Sequence, residues 1–327
     1  MKILDLDLDL LAFEPYFKFE TAHTQTLLGH FIKSPVFNQK VSVQSITLSD
    51  GDQMSFRFHL NTSDYIVVIF HGLGGTADSD YMHRTAVLAN RLGHSVALVE
   101  HRGVGHTRGS ARRPYHSGRG EDASAISEYL RQNYPNKKQI FIGFSLSGSV
   151  LLNLLTKRFG QHLPDFGIVV NAPIKLNHAS ERLQKGFSKF YDLRFYFMLK
   201  KMIKEQDPKM KLPLWGSTQL IDKLYTSQKS GFIDDQDYYK TCSTFDYLTH
   251  ISVPTFVLTS EDDPFIVFDD YMKAQWNELT HRTFLKYGGH MGYICRQTLP
   301  VFKRRWLDHY LDQVLKKIVQ IPAYTHS

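Results

Sequence analysis

An α/β fold, with a mostly parallel central sheet, an antiparallel hairpin at its N-terminal edge and a helical cap insertion, follows from three features of this 327-residue chain. From residue 65 onward, short apolar runs rich in Val, Ile and Phe alternate with longer amphipathic stretches, the rhythm of strand–helix–strand units. Ahead of them, residues 41–48 and 54–60 each alternate apolar and polar positions around Ser49-Asp50-Gly51-Asp52, which carries hairpin-turn chemistry. Between residues 175 and 248 the rhythm stops: the stretch is polar-aromatic, helical in pattern and without an apolar strand. An interruption of that size is too long for a plain loop, so it is expected to fold as a cap. The expected division is a core of residues 1–174 and 249–327, with a cap of residues 175–248 inserted in it.

In chain order, residues 1–40 show no clear period and read as an aromatic-rich arm packed along the body. After the hairpin, residues 65–70 form a continuous apolar strand that ends at His71-Gly72-Leu73-Gly74-Gly75. A helix is expected over residues 77–92, a strand over 95–99, and a helix from about Glu121, where acidic residues favour the first turn. The apolar run from residue 139 to the Gly143-Phe144-Ser145 turn and residues 166–173 read as buried strands on either side of a Leu-rich helix. Beyond the insertion, strands are expected over residues 254–259 and 282–286, and a closing helix over about 298–318 with Trp306, Leu307, Tyr310, Leu311, Val314 and Leu315 at helical spacing.

Bulk properties narrow the function. The formal charge is +7, but no nucleic-acid-binding pattern accompanies it, so no nucleic-acid partner is expected. A basic surface does favour anionic lipid or an acidic substrate, which makes peripheral contact with a membrane surface one expectation. No run approaches the ~18 consecutive apolar residues of a membrane span. The alternating acid–Leu N-terminus has neither a signal-peptide nor a transit-peptide pattern. Cys242 and Cys295 are too few for a disulfide framework, so a reducing, cytoplasmic location is expected. His101, His106 and His116 lie among Arg102, Arg108, Arg112, Arg113 and Arg119 without metal-ligand spacing, and this region reads as a solvated rim loop. Neither metal nor cofactor is expected.

Three polar clusters end strands where sheets of this kind gather reactive groups: Ser145, Asp262/Asp263 and His290. Gly143-Phe144-Ser145-Leu146-Ser147 takes a strand into a helix through a sharp turn, the arrangement that presents a nucleophilic serine above a free helix N-terminus. A serine hydroxyl needs an imidazole to accept its proton, and the imidazole needs a carboxylate to fix its tautomer. His290, between Gly288-Gly289 and Gly292, suits the first role, and either Asp262 or Asp263 suits the second. The N–H groups of Leu146 and Leu73 are the candidate oxyanion donors. The aromatic run Phe187, Phe190, Tyr191, Phe195, Tyr196, Phe197 reads equally as acyl-tunnel lining or as cap core.

Taken with His23-Thr24-Gln25-Thr26, His101-Arg102-Gly103, Tyr115-His116-Ser117-Gly118 and Asp262-Asp263-Pro264-Phe265, these motifs resemble the YheT-like branch of the α/β-hydrolase superfamily over nearly the whole chain. That branch also holds the eukaryotic abhydrolase-domain lipid hydrolases. The resemblance implies an α/β-hydrolase fold and a cofactor-free serine hydrolase of carboxylic esters, of short-acyl or acylglycerol type. By the same resemblance Ser145 is the nucleophile, Asp263 the acid and His290 the base, and the partner is a small ester or lipid. Acyl transfer to an alcohol is the alternative within the same chemistry. A non-catalytic binding protein on the same scaffold is the alternative outside it. One position departs from the pattern: Ser147 stands where Gly usually closes the elbow, which is expected to crowd the turn.

Overall fold

The structure is a computed structural model and describes residues 3–16, 20–32, 34–299 and 301–321. Met1-Lys2 and Phe17-Lys18-Phe19 of the N-terminal arm, and Pro300 in the expected closing helix, lie outside the described residues.

The first helix, α1 (Ala22–Phe31), precedes a hairpin of β1 (Ser42–Thr47) and β2 (Gln53–His59), and these lead into β3 (Tyr65–Phe70). The chain continues through α2 (Asp80–Arg91), β4 (Ser95–Glu100), α3 (Gly120–Asn133), β5 (Lys138–Phe144), α4 (Leu146–Leu155) and β6 (Phe166–Val170). The next elements are helical: α5 (Leu176–Leu183), α6 (Ser188–Gln206), α7 (Thr218–Ile221), α8 (Ser227–Ser230) and α9 (Asp235–Cys242). A π turn over Asp222–Thr226 joins α7 to α8. The core then resumes with β7 (Thr255–Ser260), α10 (Phe268–Lys273), β8 (Thr280–Leu285), β9 (Ile294–Leu299), β10 (Lys303–Arg305) and α11 (Trp306–Gln320).

Eight strands form one sheet in the order β1-β2-β4-β3-β5-β6-β7-β8. β1, β2 and β4 pair antiparallel, and every pairing from β4 through β8 is parallel. Helices cover both faces of the inner strands, so β3, β4, β5, β6 and β7 are mostly apolar and buried at nearly every position, whereas the edge strand β8 is only partly buried. Met82, Ala86 and Ala89 of α2 share one core with Trp306, Leu311 and Leu315 of α11. Ile126 and Leu130 of α3 share the other with Leu151 and Leu154 of α4. From β3 the chain steps outward to β4 and then returns to the other side of β3 as β5. A crevice opens at the carboxyl ends of strands where a sheet reverses its order in this way. The loop after β3 and the turn after β5 meet there.

Two expectations need correction. The closing helix does not begin near residue 298. Ile294–Leu299 is a strand, β9, paired with β10, and the helix starts at Trp306. The cause is tertiary: β9 also holds the N-terminal arm, through a bridge from Cys295 to Pro15 and through Gln25, whose side chain bonds both backbone groups of Ile294. The arm does pack along the body, with Trp306 Nε1 donating to the Leu11 carbonyl, but its second part is the helix α1.

Candidate active site

The turn from β5 into α4 is the sharpest element of the site. Ser145 has φ 53° and ψ −121°, a conformation that costs an L residue about 1–3 kcal/mol. Neighbouring bonds hold it there: Ser145 N donates to the Val170 carbonyl at 2.8 Å, and Gly148 N donates to the Ser145 carbonyl at 2.8 Å. Gly143 is required by close approach, since a Cβ there would lie 2.4 Å from the Ser147 carbonyl oxygen. The serine hydroxyl is thereby fixed at the crevice, above the N-terminus of α4.

His290 comes from the loop between β8 and β9 and reaches across to Ser145, with Nε2 at 2.9 Å from Oγ. Its Nδ1 lies 2.8 Å from Oδ2 of Asp263, which follows β7. Since the carboxylate only accepts, Nδ1 carries the proton, and Nε2 is left to accept from the serine. The acid facing His290 is therefore Asp263. It is fully buried, and Oδ1 accepts from the N–H groups of Phe265 (2.8 Å) and Ile266 (3.1 Å), while Oδ2 also accepts from Asn171 Nδ2 at 2.7 Å. Asp262 does something else: its Oδ1 accepts from Gly289 N at 2.8 Å and so caps the histidine loop, with its pKa raised by burial.

Residues outside the sequence-derived set complete the arrangement. Asn171 sits just past β6 at φ 48°, a region Asn tolerates better than most residues. Its Oδ1 accepts from Tyr293 OH at 3.0 Å, so one amide ties the acid to the loop that carries the base. Thr26 of α1 accepts from His290 N at 2.9 Å. The loop lies so close to α1 that a Cβ on Gly292 would be 2.2 Å from the Gln25 carbonyl. Asn171 had a signal in the sequence, a polar residue at the carboxyl end of a buried strand. Thr26 had none beyond its place in the His23-Thr24-Gln25-Thr26 motif.

The loop after β3 brings Leu73 to the same crevice. Its neighbours are all engaged: Gly72 N donates to Tyr81 OH (2.9 Å), Gly74 N to Tyr115 OH (2.9 Å) and Gly75 N to the Gly72 carbonyl (3.0 Å). Among the described residues neither Leu73 N nor Leu146 N has an acceptor.

Ser147 does not strain the elbow as expected; its φ is negative and its side chain is buried and bonded. Its hydroxyl donates to the His71 carbonyl and accepts from His101 Nε2 at 2.7 Å. His71 in turn donates from Nδ1 to the Gly72 carbonyl and accepts from His101 N. Burial pulls the pKa of His71 down to about 4 and that of His101 well below its usual value, so both rings are neutral. A hydroxyl at position 147 thus links the elbow to the loop carrying Leu73.

The Arg-rich region is the solvated loop expected only in part: His106, Arg108, Arg112 and Arg113 are exposed, but the other His and Arg side chains there are buried. Arg102 is buried and bonds Asp122, Asp50 and Asp52, tying the hairpin turn and α3 to the end of β4. His116 and Arg119 are buried as well. Among the described residues no group of three or more His, Cys, Asp or Glu side chains is placed to hold a metal ion.

A cavity of about 330 Å³ opens over Ser145 and His290, walled by Leu73, Tyr191, Phe195 and Phe265 and also by Arg84 and Arg305. A second, about 110 Å³, extends between Leu73, Leu146 and the helical insertion, lined by Leu183, Leu199, Ile203, Ile221 and Tyr239 with Asp222 at its polar end. The aromatic run divides accordingly. Tyr191 and Phe195 face the first cavity, Tyr196 is buried among the insertion helices, and Phe187, Phe190 and Phe197 are exposed.

Residues 65–294 match the family described as alpha/beta hydrolase fold. The protein named "Putative esterase YheT" of Escherichia coli is 29% identical over 320 residues, covering 90% of this chain and 90% of its own length. A monoacylglycerol lipase of Saccharomyces cerevisiae is 24% identical over 302 residues, covering 86% of this chain and 65% of its own. Among solved structures, an esterase of Pyrococcus furiosus superposes with a TM-score of 0.58 at 18% identity, covering 87% of this chain and 98% of that one.

Proposed function

This chain belongs to the α/β-hydrolase fold family, and from that premise we propose that it is a serine hydrolase of carboxylic esters. The observation that carries the reading is the unbroken hydrogen-bonded line Ser145 Oγ, His290, Asp263 at the carboxyl edge of the sheet. The names esterase and monoacylglycerol lipase borne by its relatives support a small acyl ester or lipid as substrate.

In the proposed reaction, Ser145 Oγ attacks the ester carbonyl while its proton passes to His290 Nε2. The Leu73 and Leu146 N–H groups receive the oxyanion, each donor contributing about 3–4 kcal/mol to lowering the barrier. Asp263 stabilises the imidazolium without taking the proton. Collapse of the tetrahedral intermediate breaks the C–O bond, and His290 returns the proton to the departing alkoxide. Water then attacks the acyl carbon, losing a proton to His290, and His290 returns that proton to Ser145 Oγ as the Ser145–acyl bond breaks and the acid departs. The insertion over residues 175–248 acts as the cap that shapes the pocket, with the smaller apolar cavity behind Leu146 receiving the acyl chain. The exposed Phe187, Phe190, Leu214 and Trp215 of the insertion support peripheral contact with a lipid surface. Among the described residues no helix is long and apolar enough to cross a membrane. The free, buried Cys242 and Cys295 are consistent with a reducing, cytoplasmic setting.

The test is a panel of p-nitrophenyl esters of graded chain length, assayed with the wild type and with Ser145→Ala. Turnover is expected to fall at least about 10³-fold in the variant, with free acid as the wild-type product even when an alcohol is added. A variant that keeps the wild-type rate would refute the assignment.

A further inference from the structure

The cavity over Ser145 contains a charge arrangement that ester cleavage does not use. Arg84 and Arg305 are 5% and 4% exposed, yet both form part of its wall. Arg84 is neutralised: its Nε donates to both carboxylate oxygens of Asp308, at 3.0 and 2.9 Å. Arg305 is not. Its Nη2 donates to the carbonyls of Gly29 and Ile32 and to Ser34 Oγ, all uncharged acceptors. Among the described residues its guanidinium forms no ion pair: the neighbouring Asp308 pairs with Arg84 and, like Asp80, acts on Arg305 only through space. A buried cation held by neutral groups is costly, because dipoles replace only part of its hydration. Burial, with Arg84 beside it, pulls the Arg305 pKa down to about 10. Two further charges border the cavity, Arg194 and Asp80. Both are exposed and screened by water, although Asp80 still acts on Arg305 through space, so the field inside is set mainly by the buried group Arg84, Asp308 and Arg305, which carries one net positive charge.

We propose that the Arg84–Arg305 wall is a subsite for an anionic group, phosphate or carboxylate, carried on the alcohol side of the substrate ester. The proposal rests on the ester-hydrolase reading for its orientation. His290 must hand its proton to the leaving alkoxide, so the alcohol portion lies on the His290 side, and His290 lines the arginine cavity. The acyl portion then takes the apolar cavity beyond Leu146, which contains neither arginine. A guanidinium offers forked N–H donors that match a carboxylate or phosphate edge, and charge-assisted bonds of this kind are roughly twice as strong as neutral ones. An arriving anion would supply the directly bonded charge partner that Arg305 lacks.

The experiment compares one acyl group on three alcohols: glycerol, glycerol 3-phosphate and 3-hydroxybutyrate. Wild-type kcat/KM is expected to favour the anionic esters by about tenfold or more, and Arg305→Gln to reduce that preference by about tenfold or more. A preference for the phosphate alone identifies a phosphorylated alcohol, and an equal preference for both identifies a general anion site. An unchanged preference in folded Arg305→Gln overturns the proposal. Arg305→Lys, which keeps the charge, is expected to retain most of the preference and serves if the Gln variant does not fold. Should both variants unfold, the wild type decides: no preference among the three esters overturns the subsite. Calorimetry with glycerol 3-phosphate alone separates this proposal from the one beneath it. Binding by the wild type, lost in Arg305→Gln, upholds the subsite even if no ester is cleaved. Cleavage of neutral and anionic esters at equal rates, with no binding, removes the subsite and leaves the hydrolase.

Discussion

Asn171 shows how one side chain can hold two partners to the same geometry. It donates to Asp263 and accepts from Tyr293, and its backbone sits at φ 48°. In Asn171→Ala, Asp263 loses one of its donors and the buried Tyr293 hydroxyl loses its acceptor, so the carboxylate is free to shift relative to His290. We expect kcat to fall about tenfold with KM nearly unchanged, because the substrate does not touch this residue. Steady-state kinetics on a p-nitrophenyl ester check this, and an unchanged kcat would mean that the Phe265 and Ile266 N–H groups suffice to hold the acid. Ser147 illustrates the converse. A serine where glycine is usual looked like crowding in the sequence, yet the structure gives its hydroxyl two partners, His71 and His101. Whether a buried hydroxyl is a burden or a link depends on partners 46 and 76 residues away in the chain, which local sequence does not reveal.

The elements divide by the same criterion. Strands β3 to β7 and helices α2, α3 and α4 were legible because apolar periodicity is a local property, and burial on both faces makes the strand runs continuous. Helix α1 and strand β9 were not, because contacts outside each stretch hold them: β9 pairs with β10, and Gln25 of α1 bonds the backbone of Ile294 in β9. The insertion was legible as helical but not in its interior. Its π turn places Asp222 at the end of the second cavity, where Tyr239 OH donates to Oδ2 at 2.9 Å. Burial pushes the Asp222 pKa from the usual 3.8 up to about 7. A folded-state pKa above the unfolded value means that the folded protein holds this proton more tightly. The contribution to stability is therefore complete below about pH 4 and is lost as the pH rises through about 7. Asp222→Asn, neutral throughout, is expected to match the wild type near pH 4 and to exceed its stability at pH 8 by on the order of 1–3 kcal/mol. Urea unfolding at the two pH values tests this, and parallel pH dependences in the two proteins would contradict it.

For the molecule as a whole, the sheet order does most of the assembly. Reversal between β3 and β5 opens the crevice, and the ends of β3, β5, β7 and β8 deliver Leu73, Ser145, Asp263 and His290 to it. Ser145, Asp263 and His290 could be singled out in the sequence because strand ends, glycines and chain order all marked them. The choice of Asp263 over Asp262 was not decided by the residues themselves. It depends on which carboxylate the β7 turn aims at the histidine, and the other one caps the histidine's own loop. The arginine wall was not legible at all, since Arg84 on α2 and Arg305 before α11 meet only after the two helices pack on the same face of the sheet. The central claim is that Ser145 is a nucleophile activated by His290. The most direct measurement is labelling of the folded protein with a fluorophosphonate, followed by mass-spectrometric location of the adduct. The account predicts a single adduct on Ser145 that disappears in Ser145→Ala and is strongly slowed in His290→Ala. A folded wild type that takes no label, or takes it on another residue, would contradict it.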